Sequence, residues 1–122
     1  MKHELVTQLP VWREVPGHFH AAPFWLTQEM FGGLPVEVVG GDLSGLVNAP
    51  VAARHAHDVP EVYLLLSPTA GGAEIEVEVG EARLTLCSPA ALYIPAGVEH
   101  RFVTRRAEPG SNCFGVLIRG TR

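Results

Sequence analysis

Between Glu74 and Val79 acidic and β-branched residues alternate without a break, as Glu74-Ile75-Glu76-Val77-Glu78-Val79. A period of two gives one parity to water and the other to a core, so this run predicts a half-buried strand. Gly80-Glu81 then marks a turn, and Ala82, Leu84 and Leu86 resume the apolar register, which predicts a β-hairpin. Further strand-like runs are Val36–Val39, Leu43–Val47, Val51–His57, Glu61–Leu66, Ala91–Ile94, Val98–Arg105 and Cys113–Arg119. Gly, Pro, Asn and Ser separate them, as in Gly40-Gly41, Asn48-Ala49-Pro50, Gly71-Gly72 and Pro109-Gly110-Ser111. Breaks of this kind every 8–12 residues or so predict an all-β sandwich or barrel. No long amphipathic helical stretch occurs, and Pro23–Phe31 fits either a helical turn or an edge strand.

The run Val62-Tyr63-Leu64-Leu65-Leu66 is apolar on both parities. Both of its faces should therefore be covered, one by the interior and the other by a partner subunit, and a homodimer is expected. Residues 1–35 read as an N-terminal segment packing on the barrel or on that partner, and residues 36–122 as the barrel. A chain of 122 residues suits one domain.

Composition narrows the function. Hydrophobic residues make up 47% and charged residues 18%, with a net charge of −4. The densest basic run is Arg105-Arg106, too little to track a phosphate backbone, so no nucleic-acid partner is expected. No segment approaches the roughly 20 apolar residues of a membrane span, and Met1-Lys2-His3-Glu4 lacks a signal-peptide core. The expected address is the cytoplasm, with Cys87 and Cys113 as reduced thiols.

The chemistry lies in the histidines. His55-Ala56-His57 places two imidazoles at i and i+2, on one face of a strand and about 6.6 Å apart at the backbone. Glu61 opens the next strand, and His100 follows the tight bend expected of Pro95-Ala96-Gly97. Three imidazoles and a carboxylate suit Fe, Mn, Co, Ni, Cu or Zn. His18-Phe19-His20 has the same local spacing without a flanking carboxylate, and reads as a structural or surface pair. By strand parity Tyr63 and Leu65 follow Glu61 inward, and Phe102 follows His100. Tyr63 then offers a catalytic hydroxyl, and Tyr63, Phe102 and Trp25 are the candidate substrate contacts. Phe24, Trp25, Met30 and Phe31 form an aromatic group placed to cover the barrel mouth or a dimer contact.

The runs His55-x-His57-x-x-x-Glu61 and Pro95-x-Gly97-x-x-His100 resemble the two motifs of the cupin family, in order and separated by a hairpin. The stretch Tyr93-Ile94-Pro95-Ala96-Gly97-Val98-Glu99-His100 is especially similar to the family's wording, and the resemblance spans residues 36–119. It implies a double-stranded β-helix, or jelly-roll, barrel with one divalent transition metal inside. Ala49 and Pro89 stand where the motifs usually have glycine, and Thr104 where a polar residue such as Asn is usual. These departures touch loops rather than ligands. The family contains non-haem oxygenases, non-redox isomerases, cyclases and lyases, and non-catalytic ligand-binding proteins. Three histidines with a glutamate favour the oxygenase and Fe(II), with Zn, Mn, Ni or Co as alternatives. A small, partly apolar organic substrate is expected, since no arginine clamp for a carboxylate is evident.

Overall fold

The computed structural model describes residues 5–120, so the start at Met1-Lys2-His3-Glu4 lies outside the described residues. The strands are β1 (Val11–Arg13), β2 (Ala22–Leu26), β3 (Val36–Asp42), β4 (Glu61–Leu66), β5 (Ala73–Val79), β6 (Ala82–Cys87), β7 (Ala90–Ile94), β8 (His100–Ala107) and β9 (Asn112–Ile118). They form a six-stranded sheet, in the order β1-β2-β3-β9-β4-β7, and a three-stranded sheet, β6-β5-β8, all antiparallel. This is the double-sheet jelly-roll barrel.

The alternation on β5 does what its period requires. Ala73, Ile75 and Val77 are fully buried, and the three glutamates between them face out. There they meet arginines on the neighbouring strand: Arg101 on Glu78 (2.9 Å), Arg105 on Glu76 (2.6 Å) and Arg106 on Glu74 (3.2 Å). A register shift opposite Glu74 and Ile75 gives β8 one extra residue, so that consecutive arginines both reach the outer face. The core cluster is Leu43, Tyr63, Leu65, Ala73, Ile75, Val77, Ile94 and Cys113.

Two expected strands are absent. Leu43–Val47 is a turn, because the Asp42 carboxylate accepts from the Ser44 amide (2.9 Å) and Leu46 N–H bonds the Leu43 carbonyl (3.0 Å). Leu43 is nevertheless buried there. Val51–His57 is a link from the turn after β3 to β4, pairing with its neighbours through the isolated bridges His18–Ala52 and His55–His100 rather than as a strand. Pro23–Phe31 divides: β2 takes its first part, and Met30–Gly32 is a 3₁₀ turn. β1 and β2 extend the larger sheet beyond β3.

The outward row of β4 and β7 is apolar and open, with Leu64 at 36%, Leu66 at 44% and Tyr93 at 59% exposure. Among the described residues no helix is long and apolar enough to cross a membrane.

Ile75 tests the core. Ile75→Ala should cost about 2–5 kcal/mol in urea unfolding. Glu76→Gln, which breaks one partly exposed ion pair, should cost under about 1 kcal/mol. Equal effects would mean that β5 does not face a packed interior.

Candidate metal centre

Backbone hydrogen bonds bring the two motif segments together. His55 N–H bonds the His100 carbonyl (3.1 Å), and His100 N–H returns to the His55 carbonyl (2.8 Å). Gly97 N–H then bonds the His57 carbonyl (2.7 Å). Gly97 makes that bend at a φ of 80°, in the left-handed region that glycine enters without a steric penalty. With the chains clamped in this way, the ring centroids lie 5.0 Å (His55–His57), 4.6 Å (His55–His100) and 5.3 Å (His57–His100) apart. One nitrogen from each ring falls within 4.8 Å of the others.

The protonation pattern follows from the partners. His55 Nδ1 lies 2.7 Å from the Ala53 carbonyl, and His100 Nδ1 lies 2.9 Å from the Val98 carbonyl. A carbonyl can only accept, so each Nδ1 carries the hydrogen and each neutral ring keeps its Nε2 lone pair free. Metal-binding histidines are usually oriented in this way.

Glu61, at the head of β4, supplies the carboxylate. Its Oε1 lies 3.0 Å from His100 Nε2 and 3.4 Å from His57 Nε2. With the proton of the neutral His100 ring on Nδ1, the 3.0 Å approach is not a hydrogen bond, and both Glu61 Oε1 and His100 Nε2 are buried without a hydrogen-bond partner. Two buried donor atoms side by side without a hydrogen-bond partner fit a shared cation better than a simple pair. Burial alone would raise the Glu61 carboxyl, but the two imidazoles outweigh it and hold it at about 2. For His100, burial pulls downward, and the Glu61 carboxylate and Val98 carbonyl outweigh it in the other direction. Burial chiefly lowers His55, which keeps that ring neutral and ready to coordinate. The donor set therefore fits a divalent transition metal.

The centre opens on a cavity of about 500 Å³. Tyr63 and Phe102 line it and pack edge to face, 5.4 Å between centroids, with Tyr63 also 6.0 Å from His100. Trp25 is not brought there. On β2 its parity is opposite to that of buried Phe24, and its indole N–H donates to the Gly40 carbonyl (2.6 Å) while its ring packs on Phe114. Of the expected aromatic group, Phe24 lines the cavity and Phe31 sits exposed in the 3₁₀ turn.

Two residues of the site carried no usable sequence signal. His18 lies at the cavity with its ring 5.3 Å from that of His55, brought there by the bridge to Ala52, a pairing across distant parts of the chain. Gly115 on β9 lies directly under Glu61: a β-carbon at that position would fall on Oε2. The absent side chain is the recess in which the carboxylate rests.

These contacts predict metal content. His57→Ala should lower the metal retained after dialysis at least tenfold, and His18→Ala should leave it within twofold. Gly115→Ala, which displaces the Glu61 carboxylate, should act in the direction of His57→Ala. Retention should also fall below about pH 6, where imidazoles take up protons and stop coordinating. Equal metal in His57→Ala and His18→Ala would rule out the shared centre.

No family model matches the chain, and no curated protein matches it. Solved structures do. A Cupin 2 conserved barrel domain protein from Salinispora arenicola is 18% identical, with a TM-score of 0.57 over 82% of this chain and 76% of that one. KdgF from Halomonas sp. is 20% identical, with a TM-score of 0.56 over 92% of this chain and 89% of its own. FeII HppE is 14% identical, with a TM-score of 0.53 over 80% of this chain and 48% of its own. At these identities the likeness speaks for the architecture, and the chain has the fold of a cupin barrel.

Proposed function

We propose that the protein is a metal-dependent enzyme of the non-haem oxygenase class, acting on a small organic substrate. One observation carries the reading. Donor nitrogens of three imidazoles lie within 4.8 Å of one another on the wall of a cavity large enough for a substrate, and the buried Glu61 carboxylate stands 3.0 Å and 3.4 Å from two of those rings. An Fe(II) ion held by His55, His57, Glu61 and His100 would supply Lewis acidity and a one-electron couple. HppE, a neighbour in fold, is an iron(II) protein, which supports that choice of metal.

The chain's own groups supply orientation and proton control. Burial first, then the Glu61 carboxylate, pushes the Tyr63 phenol well up. At neutral pH Tyr63 is therefore a donor, able to hold a substrate oxygen or give it a proton, and not a base. The Cys113 thiol is pushed up to about 12 by burial and by Glu61, so it stays protonated and does not compete as a thiolate ligand. Phe102 fixes the plane of the Tyr63 ring. A non-redox isomerase, cyclase or lyase is the second reading, favoured by the neutral phenol beside the donors.

The test is O₂ consumption by anaerobically Fe(II)-loaded protein across a substrate panel. Substrate-dependent uptake is expected, reduced about 10²-fold in Tyr63→Phe at unchanged iron content. Turnover that persists without O₂ or with Zn²⁺ would replace the oxygenase by the second reading. Tight binding with no product under any condition would leave a ligand-binding protein.

A homodimer is part of the proposal, supported by the open apolar row of Leu64, Leu66 and Tyr93. Sedimentation at micromolar concentration should give about twice the 13.1 kDa chain mass, and Leu64→Asp should halve it. A monomeric wild type would remove this part.

A further inference from the structure

We infer that the cavity selects a molecule with one oxygen-bearing end and an uncharged apolar body, and discriminates against ligands carrying two anionic groups. The inference rests on the metal-centre reading for the polar end alone; the rest comes from the cavity walls.

At about 500 Å³ the cavity is far larger than an ion and its water would need, and lies in the range of small-molecule sites. Most of its wall is hydrocarbon: Phe24 from β2, Leu43 and Leu46 from the turn after β3, Val51 from the link, and Leu117, which lies opposite Glu61, from β9; Asp42 and Ser44 add polar groups at the turn. His18 and Tyr63 stand beside the donor set. A ligand therefore finds polar partners at the donor set and mostly hydrocarbon around the rest of its body.

Charge sharpens the selection. Among the described residues the one arginine or lysine in the lining is Arg101, and its guanidinium is held by Glu78 at 2.9 Å. Arg54 is drawn to the same carboxylate at 3.1 Å and to Glu99 at 3.7 Å, so two acids balance these two cations. The other charged groups in the lining, Asp42 and Glu61, are acidic. A carboxylate or phosphate on the ligand's body would lose its water and find no compensating cation. A phenyl or alkyl body loses nothing comparable and gains contact with the walls.

Two chelators with the same two-oxygen bite separate these cases. Benzoylacetone carries a phenyl body and at most one charge; malonate has no body and two charges. Both are titrated calorimetrically into Zn²⁺-loaded protein, whose zinc content is measured beforehand. Benzoylacetone should bind at least tenfold more tightly. Leu46→Arg, or Val51→Arg should the first variant not fold, places a cation in the wall and should shrink that ratio at least fivefold. Malonate binding as tightly as benzoylacetone in zinc-replete wild type, or a ratio untouched in both folded arginine variants, overturns the inference while leaving the metal centre intact. If the wild type takes up no zinc, the metal reading fails instead. Benzoylacetone must then still bind the metal-free protein more tightly than malonate for the cavity inference to stand.

Discussion

The negative charge of Glu61, buried on the inner face of a β-sheet, is the constraint around which this site is arranged. Glu61 is 4% exposed and sits where period-two patterning would otherwise place a core residue. An isolated carboxylate there would be protonated or expelled. Instead it rests in the recess above Gly115 beside the Nε2 atoms of His57 and His100, which hold its carboxyl low when they are protonated and, when they are neutral, leave that role to a cation. Each neighbour serves that arrangement. Gly115 yields space, the paired His55 and His100 backbones fix where the rings can stand, and the Ala53 and Val98 carbonyls turn both Nε2 lone pairs inward. A neutral donor pair leaves Glu61 Oε1 and His100 Nε2 without hydrogen-bond partners, whereas a divalent ion at their focus engages both.

Which parts of this could be read from the chain depends on how local the deciding interaction is. The Glu74–Val79 alternation became a strand with buried and solvated faces because only adjacent residues were needed to set its period. The bend before His100 was legible for the same reason, since Gly97 decides it within a few residues. Leu43–Val47 and Val51–His57 look apolar enough for strands, yet Asp42 and Ser44 close a turn locally and the link pairs only at the isolated bridges of Ala52 and His55. Trp25 followed from no local rule: only the parity of β2 in the assembled sheet shows that Phe24, not Trp25, faces the cavity. Gly115 is opaque in the sequence because its importance is a missing atom that matters only once β4 lies alongside.

His18 shows the same limit from the other side. Its His-x-His spacing matches that of His55 and His57, so local pattern cannot rank the two pairs. The difference is made by long-range pairing: His55 hydrogen-bonds through its backbone to His100, whereas His18 bonds through the Ala52 region and stops one ring short of the donor cluster. An imidazole held at that distance belongs to the space a ligand would enter. The N-terminal arm thus forms part of the cavity wall, through His18 and Phe24, as well as extending the larger sheet.

The two ends of the barrel interior then divide the labour by polarity. Towards β5 the interior is closed by Leu65, Ala73, Ile75 and Val77, none of them measurably exposed, and this packing supplies rigidity. Towards β2 and β3 the same interior is left unfilled, and small residues such as Gly41 and Ala22 help keep it open. A barrel of this size cannot fill both ends and still admit a ligand. Stability is therefore concentrated behind the histidines and access in front of them, so the donor set sits at the boundary, held from the packed side and approachable from the other. That placement fixes a buried charge from the packed side and leaves its other face on the cavity.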